Sequence, residues 1–194
     1  MTDQPQETVS ARPLRPLPGD PSMAEEVASM IRVDHAGEYS AARIYEGQLA
    51  VFGPDHSLTP VIRRMAEQEK EHLQVFEEIM SDRKVRPTVL NPVWHMAGFA
   101  LGAATALMGT HAAMACTAAV EEVIDEHYQS QRDLLDHWDV EPELNKTVKA
   151  FQADEVEHRD TAIKHGAEQT PGYGLLSGGI KAGCRAAIWL SKRI

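Results

Sequence analysis

The stretch "AFQADEVEHRDTAIKHG", residues 150–166, places Glu155 and His158 three apart in a charged, helix-forming segment. The same Glu-x-x-His spacing recurs in "AEQEKEHLQVFEEI", residues 66–79, as Glu69 and His72. Side chains three apart on a helix project to one side, so each pair can offer a carboxylate and an imidazole to one point. A single such pair reads as a solvated helix face. What precedes each pair changes the reading. Glu38 lies 31 residues before Glu69, and Glu121 lies 34 residues before Glu155, each in the preceding helical segment and at a distance that suits an antiparallel hairpin. The chain therefore reads Glu … Glu-x-x-His twice over. That is the donor set of dinuclear carboxylate sites in four-helix bundles, with one Glu from each of two helices and Glu-x-x-His from each of the others.

The duplication extends beyond these six residues. Tyr45 follows Glu38 by seven residues and Tyr128 follows Glu121 by seven. Small residues surround both lone glutamates, in "DHAGEYSAA" (34–42) and "CTAAVEE" (116–122), which lets helices close tightly around a buried site. Asp34 and Asp154 are candidates for orienting ligand histidines from behind, although each alone reads as a solvated acid. Four carboxylates carry four negative charges, which two divalent cations cancel. A carboxylate-rich set with two imidazoles and no thiolate suits iron or manganese better than zinc. Iron is preferred, because two ferrous ions can deliver electrons to O2 together. The expected roles are Glu38 and Glu121 as terminal ligands, His72 and His158 as one imidazole per metal, and Glu69 and Glu155 as bridges.

Helix punctuation supports this frame. Ser22 and Glu25 form a capping-box pattern that opens a segment running to Gly53-Pro54. Thr59-Pro60 offers a cap and an N1 proline for a second helix reaching Arg83. A third helical region runs from Val93 to Trp138 with a break near Gly109-Thr110, a fourth from Leu144 to Gln169, and a last from Leu175 to Lys192. Alternating β-branched runs and hairpin-turn dipeptides are almost absent, so the fold class is all-α. Five of the 11 prolines fall in the first 21 residues, which marks a flexible tail. That tail has neither the apolar run of a secretory signal nor the composition of a mitochondrial presequence, which predicts a bacterial origin. The net charge of −10 argues against nucleic acid as a partner, and two cysteines without a CxxC argue against a disulfide or thiolate-metal framework.

Two segments differ from the rest. From Pro87 to Val120 no Asp, Glu, Lys or Arg occurs, and 93–109 is apolar nearly all round. The C-terminal "GLLSGGIKAGCRAAIWLSKRI" (174–194) is apolar but keeps Lys181, Arg185, Lys192 and Arg193, as a helix lying at a lipid headgroup boundary would. Both contain Gly-x-x-x-Gly spacings that permit close helix approach. Insertion into a membrane surface is the expected use of these segments. A buried core helix, a dimer interface and a short membrane span are the alternatives, and 17 weakly hydrophobic residues fall short of the roughly 20 that a bilayer needs.

Taken together, "IRVDHAGEYSAARIYEGQLAV" (31–51), "EQEKEHL" (67–73), "RPTVLNPVWHMAGFALGAATALMG" (86–109), "AMACTAAVEEVIDEHY" (113–128), "DEVEHRD" (154–160) and "AGCRAAIWLSKRI" (182–194) resemble the demethoxyubiquinone hydroxylases of ubiquinone biosynthesis. The resemblance covers nearly everything after residue 22. It implies a ferritin-like four-helix bundle with additional membrane-contacting helices, placed peripherally on the cytoplasmic face of the cell membrane. It implies a monooxygenase that uses two Fe2+ ions and O2 to hydroxylate a polyprenylated methoxy-methyl-benzoquinol, with NADH as a possible electron source. The membrane lipid surface, a second copy of the chain and other ubiquinone-biosynthesis proteins are the implied partners. It carries the iron-ligand roles onto Glu38, Glu69, His72, Glu121, Glu155 and His158. It also marks His127 and Tyr128 as catalytic candidates close to the metal pair, for contact with substrate or a proton. The expected organisation is a tail at 1–21 and one domain at 22–194, comprising a hairpin repeat (22–83 and 111–169), the apolar segment 93–109 and the amphipathic helix 175–192. An iron-storage or ferroxidase protein is the first alternative, although a storage cage needs polar outer faces. A non-catalytic scaffold for quinone enzymes is the second.

Overall fold

The computed structural model describes residues 20–194, and those residues are all-helical. All but the last two residues of the expected tail lie outside the described range. The six helices are α1 (Met23–Phe52), α2 (Thr59–Arg83), α3 (Asn91–Leu107), α4 (Thr110–Trp138), α5 (Pro142–Lys164) and α6 (Tyr173–Ser191). They fall into two consecutive triplets of the same plan. α1 and α2 form an antiparallel hairpin and α3 returns to lie on α1; α4 and α5 form a second hairpin and α6 returns to lie on α4. Close backbone approaches occur within each triplet, whereas the two hairpins meet mainly through side chains.

Local chemistry explains most of the boundaries. Ser22 and Glu25 complete the expected capping box, with the Glu25 amide donating to the Ser22 hydroxyl at 3.3 Å and the Ser22 amide donating to the Glu25 carboxylate at 2.7 Å. The second helix opens differently from expectation. Leu58 takes the cap position with helical backbone angles and no side-chain cap, and the Thr59 hydroxyl instead donates to the carbonyl of Gly53 at 2.6 Å. Thr59 thus ties α2 to the end of α1. The fourth predicted helix stops at Lys164 rather than Gln169. Gly166 adopts φ +88°, a left-handed angle that a side chain resists, and a short 3-10 turn, Ala167–Gln169, follows.

The two returning helices are fixed by different means. On α3, a Cβ on Gly98 would lie 2.8 Å from the Ser40 carbonyl oxygen, and one on Gly102 would lie 1.9 Å from that of Ile44. Across the same seam, a Cβ on Gly47 would fall 2.2 Å from the Phe99 oxygen. Backbone meets backbone there, and only glycine permits it. On α6, Gly174, Gly178, Gly179 and Gly183 face open space. That helix packs through Ile180 against Ile44, Cys116 and Val120 and carries ion pairs at its edge: Lys181 to Glu122 at 2.6 Å, Arg185 to Glu126 at 2.8 Å and Lys192 to Glu26 at 3.1 Å. These cations, expected to meet lipid headgroups, are turned toward α4 and α1.

α3 is not a buried core helix, since Val93, Met96 and Leu107 are exposed along it. No helix among the described residues is long and apolar enough to cross a membrane. Two apolar layers fill the interior of the bundle. One gathers Tyr45, Ile62, Met65 and Met114, and the other gathers Ile31, Phe76, Tyr128 and Leu135.

Candidate metal centre

Between those layers, the six residues singled out by spacing converge. Glu38, Glu69, His72, Glu121, Glu155 and His158 are each 3% exposed or less. Their donor atoms form two overlapping groups within coordination reach: Glu38, Glu69, His72 and Glu155 in one, and Glu69, Glu121, Glu155 and His158 in the other. Glu69 and Glu155 are common to both. Each hairpin contributes a lone glutamate from its first helix and a Glu-x-x-His from its second, because the buried face of each helix recurs at one-turn spacing.

Both imidazoles present Nδ1 to the interior. His72 Nδ1 is 3.4 Å from Glu38 Oε2 and 3.3 Å from Glu155 Oε1; His158 Nδ1 is 3.0 Å from Glu69 Oε1 and 3.4 Å from Glu155 Oε2. The outer nitrogens are held from behind by the opposite hairpin. His72 Nε2 donates to Asp154 Oδ2 at 3.1 Å, and His158 Nε2 donates to Gln68 Oε1 at 3.2 Å. Asp154 immediately precedes Glu155 and Gln68 immediately precedes Glu69, so each Glu-x-x-His motif carries the orienting group for the other's histidine. Phe151 stacks on the His72 ring with centroids 3.9 Å apart, which fixes its plane.

The tyrosines cross in the same way. Tyr45 donates to Glu121 Oε1 at 2.6 Å, and Tyr128 donates to Glu38 Oε1. Each lone glutamate is thus hydrogen-bonded by the tyrosine of the other hairpin. Burial, reinforced by the neighbouring carboxylates, holds both phenols well above their ordinary pKa, so they act as donors.

Whether these residues suit a metal can be judged from what they leave unpaired. Both oxygens of Glu69 and Glu155, Oε2 of Glu38 and Glu121, and Nδ1 of both histidines are buried without a hydrogen-bond partner. Six oxygens and two imidazole nitrogens turned inward without donors are costly unless cations meet them. Among themselves the groups compensate only in part. Burial, then the Glu155 charge, pushes Glu69 and Glu121 well above the usual carboxylate range. Burial opposes charge on Glu155 as well, but His158 and His72 pull it down to about 2. Burial also opposes charge on the His72 ring, and the Glu155 and Glu38 carboxylates outweigh it, raising that ring to about 11. The donor set is carboxylate-rich, nitrogen-poor and buried, and it fits two hard or borderline divalent cations.

The remaining candidates separate. Tyr128 lies at the centre through Glu38, whereas His127 faces Asp34 and Gln131 at its edge. Asp34 therefore does not orient a ligand histidine as its position suggested; Asp154 does. Gln68 and Gln131 were not singled out by spacing. Their signal is nonetheless in the chain, since each stands at a fixed offset from a motif residue that has a counterpart in the other repeat.

An apolar groove of about 550 Å3 opens between α3 and α6, walled by Ile44, Trp94, Leu101, Leu176, Ile180 and Cys184. It shares Ile44, Trp94 and Cys184 with an inner cavity of about 80 Å3, which is also lined by Gly37 and Val120. Those last two residues are the chain neighbours of Glu38 and Glu121, on the same helices as the two lone glutamates.

Comparison with known proteins places this architecture. The chain is 52% identical over 178 residues to the 3-demethoxyubiquinol 3-hydroxylase of Rhodospirillum rubrum, covering 92% of this chain and 83% of that one. It is 53% identical over 170 residues to the human NADPH-dependent 3-demethoxyubiquinone 3-hydroxylase, mitochondrial, covering 87% and 78%. It is 42% identical over 179 residues to the 5-demethoxyubiquinone hydroxylase, mitochondrial, of Saccharomyces cerevisiae, covering 85% and 77%. The sequence model of the family described as "Ubiquinone biosynthesis protein COQ7" matches residues 25–191, and the chain belongs to that family.

Proposed function

We propose that the chain hydroxylates the ring of a polyprenylated demethoxyubiquinol with O2, at two iron ions held by Glu38, Glu69, His72, Glu121, Glu155 and His158. The observation that carries the metal assignment is the set of inward-facing, unpaired carboxylate oxygens and imidazole nitrogens from two hairpins. The hydroxylation itself rests on family membership, since bacterial, human and yeast relatives are all named as demethoxyubiquinol or demethoxyubiquinone hydroxylases. Iron, when bound, supplies the redox chemistry with O2 that carboxylates, imidazoles and phenols cannot.

The protein's own groups do the rest. Glu69 and Glu155 belong to both donor groups and would hold both ions when metal is bound. Asp154 and Gln68 fix the histidine rings, leaving Nδ1 free to donate an electron pair. Tyr45 and Tyr128 hold Glu121 and Glu38 in place and limit the rearrangement of those carboxylates. The apolar groove takes the quinol ring and the start of its tail, and its carbon walls exclude water from the reacting ring.

A polyprenylated substrate resides in a bilayer, so the groove must open at one. Met96, Leu107, Met108, Leu175 and Trp189 are exposed on the α3–α6 side, with Leu175 86% exposed. An apolar surface of this size beside an apolar groove fits insertion into the headgroup boundary of a membrane surface. The reductant is a reduced pyridine nucleotide; the name of the human relative specifies NADPH, where the family resemblance had implied NADH as a possible source. Residues 22–194 act as one catalytic unit in this reading.

The test is conversion of a demethoxyubiquinol by the purified, iron-loaded protein with O2 and a reductant. Hydroxylated product must appear, and Glu155→Ala must abolish it together with metal loading. Co-flotation of the protein with phospholipid vesicles, weakened by a Met108→Glu/Leu175→Glu double variant, tests the membrane face. Product formation by metal-free protein would sink the proposal.

A further inference from the structure

Hydroxylating a ring carbon consumes a proton in a place shut off from water. One C–H becomes C–OH, the second oxygen atom leaves as water, and the pyridine nucleotide gives a hydride. One further proton must come from solvent to balance the equation. The six ligand side chains are almost fully buried, so that proton needs a route through the protein.

One flank of the centre carries ionisable groups that the ligand set does not use. Asp34 lies one α1 turn before Glu38 and is 2% exposed. Gln131 donates its amide to Asp34 Oδ1 at 2.6 Å and sits 2.9 Å from His127 Nε2, which is itself 3.3 Å from Asp34 Oδ1. Asp34 Oδ2 is buried without a partner. The His127 side chain keeps 19% of its surface exposed and so reaches solvent. Tyr128, the next residue in the chain, donates to Glu38.

The other half of the molecule serves as an internal control. An offset of 83 residues takes Glu38 to Glu121 and Tyr45 to Tyr128; the same offset takes Asp34 to Thr117, Ile44 to His127 and Gln48 to Gln131. Gln48 donates to the Thr117 hydroxyl at 3.3 Å, as Gln131 does to Asp34. The scaffold is repeated, but there it holds no ionisable group, and Ile44 lines the apolar groove. Packing is therefore satisfied by neutral residues at these positions, and the acid and imidazole near Glu38 call for another explanation.

We propose that His127 and Asp34 form the proton entry of the centre: His127 exchanges protons with solvent and passes them to Asp34, which holds one beside Tyr128 and Glu38. Asp34 is faced by His127, Gln131 and Tyr128 from α4 and by Glu38 from its own helix. Burial raises its pKa above that of an ordinary aspartate despite the His127 and Gln131 contacts, which suits a group that must hold a proton. The proposal rests on the hydroxylase reading.

Asp34→Asn keeps the shape and an acceptor for Gln131 but cannot carry a proton onward. The iron-loaded Asp34→Asn protein should bind two metal equivalents with an unchanged visible spectrum. Its single-turnover product formation should slow about 100-fold, with a larger solvent deuterium isotope effect. His127→Ala should be slow as well and recover with added imidazole, which should leave Asp34→Asn slow. Infrared spectroscopy gives a readout independent of catalysis. The loaded protein should show the C=O band of a buried carboxylic acid, lost in Asp34→Asn. That band without hydroxylation by the unaltered protein would defeat the hydroxylase reading and leave the proton-holding role standing. Turnover of Asp34→Asn within twofold of the unaltered protein, loss of metal from it, or a His127→Ala protein deaf to imidazole would each overturn the proposal.

Discussion

The two triplets α1–α3 and α4–α6 share a plan and differ in how they execute it. Each supplies a lone glutamate, a Glu-x-x-His and a tyrosine that reaches across to the other's glutamate. Around that common frame the halves diverge. His72 is backed by a carboxylate from Asp154 and His158 by an amide from Gln68. The outer helix of one triplet is seated backbone to backbone through glycines, and that of the other by apolar side chains flanked by ion pairs. A repeated hairpin thus secures convergence of the ligands, while the departures from repetition make the two ends of the centre chemically unlike: polar and ionisable beside Glu38, apolar beside Ile44.

The comparison can be broken most severely at the residues that belong to both halves. Glu69→Ala or Glu155→Ala should lose both metal equivalents and all measurable hydroxylation, whereas Glu38→Ala or Glu121→Ala should retain one equivalent at most. Metal analysis of the purified variants decides this. Next come the seams. Gly102→Ala should destabilise by about 3 kcal/mol, because its Cβ would collide with the Ile44 carbonyl, while Gly178→Ala should be neutral or stabilising by up to about 1 kcal/mol. Paired thermal melts would show whether the α3 seam is as unyielding as the glycines imply.

Asp154→Ala should weaken metal binding at the His72 position by roughly 10- to 100-fold, and Gln68→Ala should weaken the His158 position less, since a carboxylate polarises an imidazole more than an amide does. Equal losses would show that the two backing groups are equivalent. The smallest effect is one of pH on the metal-free protein. The folded-state pKa values of Glu69 and Glu121 are raised, so their contribution is complete below about 4.5 and is lost as pH rises. His72 is also raised, so its contribution is complete below 6.5 and drains away toward about 11. Glu155 is depressed, and its contribution fails only as pH falls from about 4.5 toward 2. Between pH 5 and 8 the melting temperature of metal-free protein should therefore fall, and the gap to the loaded protein should widen. A flat profile would mean that water, not neighbouring carboxylates, sets these protonation states.

Much of this was legible in the chain because it depends on local periodicity. The three-residue spacing of Glu69 with His72 and Glu155 with His158 dictates a shared helix face. Gly53 and Gly109 mark helix ends through backbone freedom alone. What could not be read depends on how one hairpin sits against the other. Tyr45 and Tyr128 stand out by spacing, but nothing local says that each serves the far glutamate. Lys181 and Arg185 share a face suited equally to lipid phosphates or to an acidic helix. Their actual partners, Glu122 and Glu126, carry the same four-residue spacing, a signal visible only once α6 is known to lie on α4. Thr59 misled for a related reason, since its hydroxyl had a choice between its own helix and the carbonyl of Gly53.

Between the two apolar layers, the hairpins meet at a buried seam of acids and imidazoles, and both shared glutamates belong to each of its donor groups. A seam of that kind is closed by cations and strained without them. The cofactor therefore acts as a clasp on the polypeptide as well as a reagent. In a metal-starved cell the unloaded chain would open more readily to proteases, and the amount of enzyme would follow the supply of its own metal.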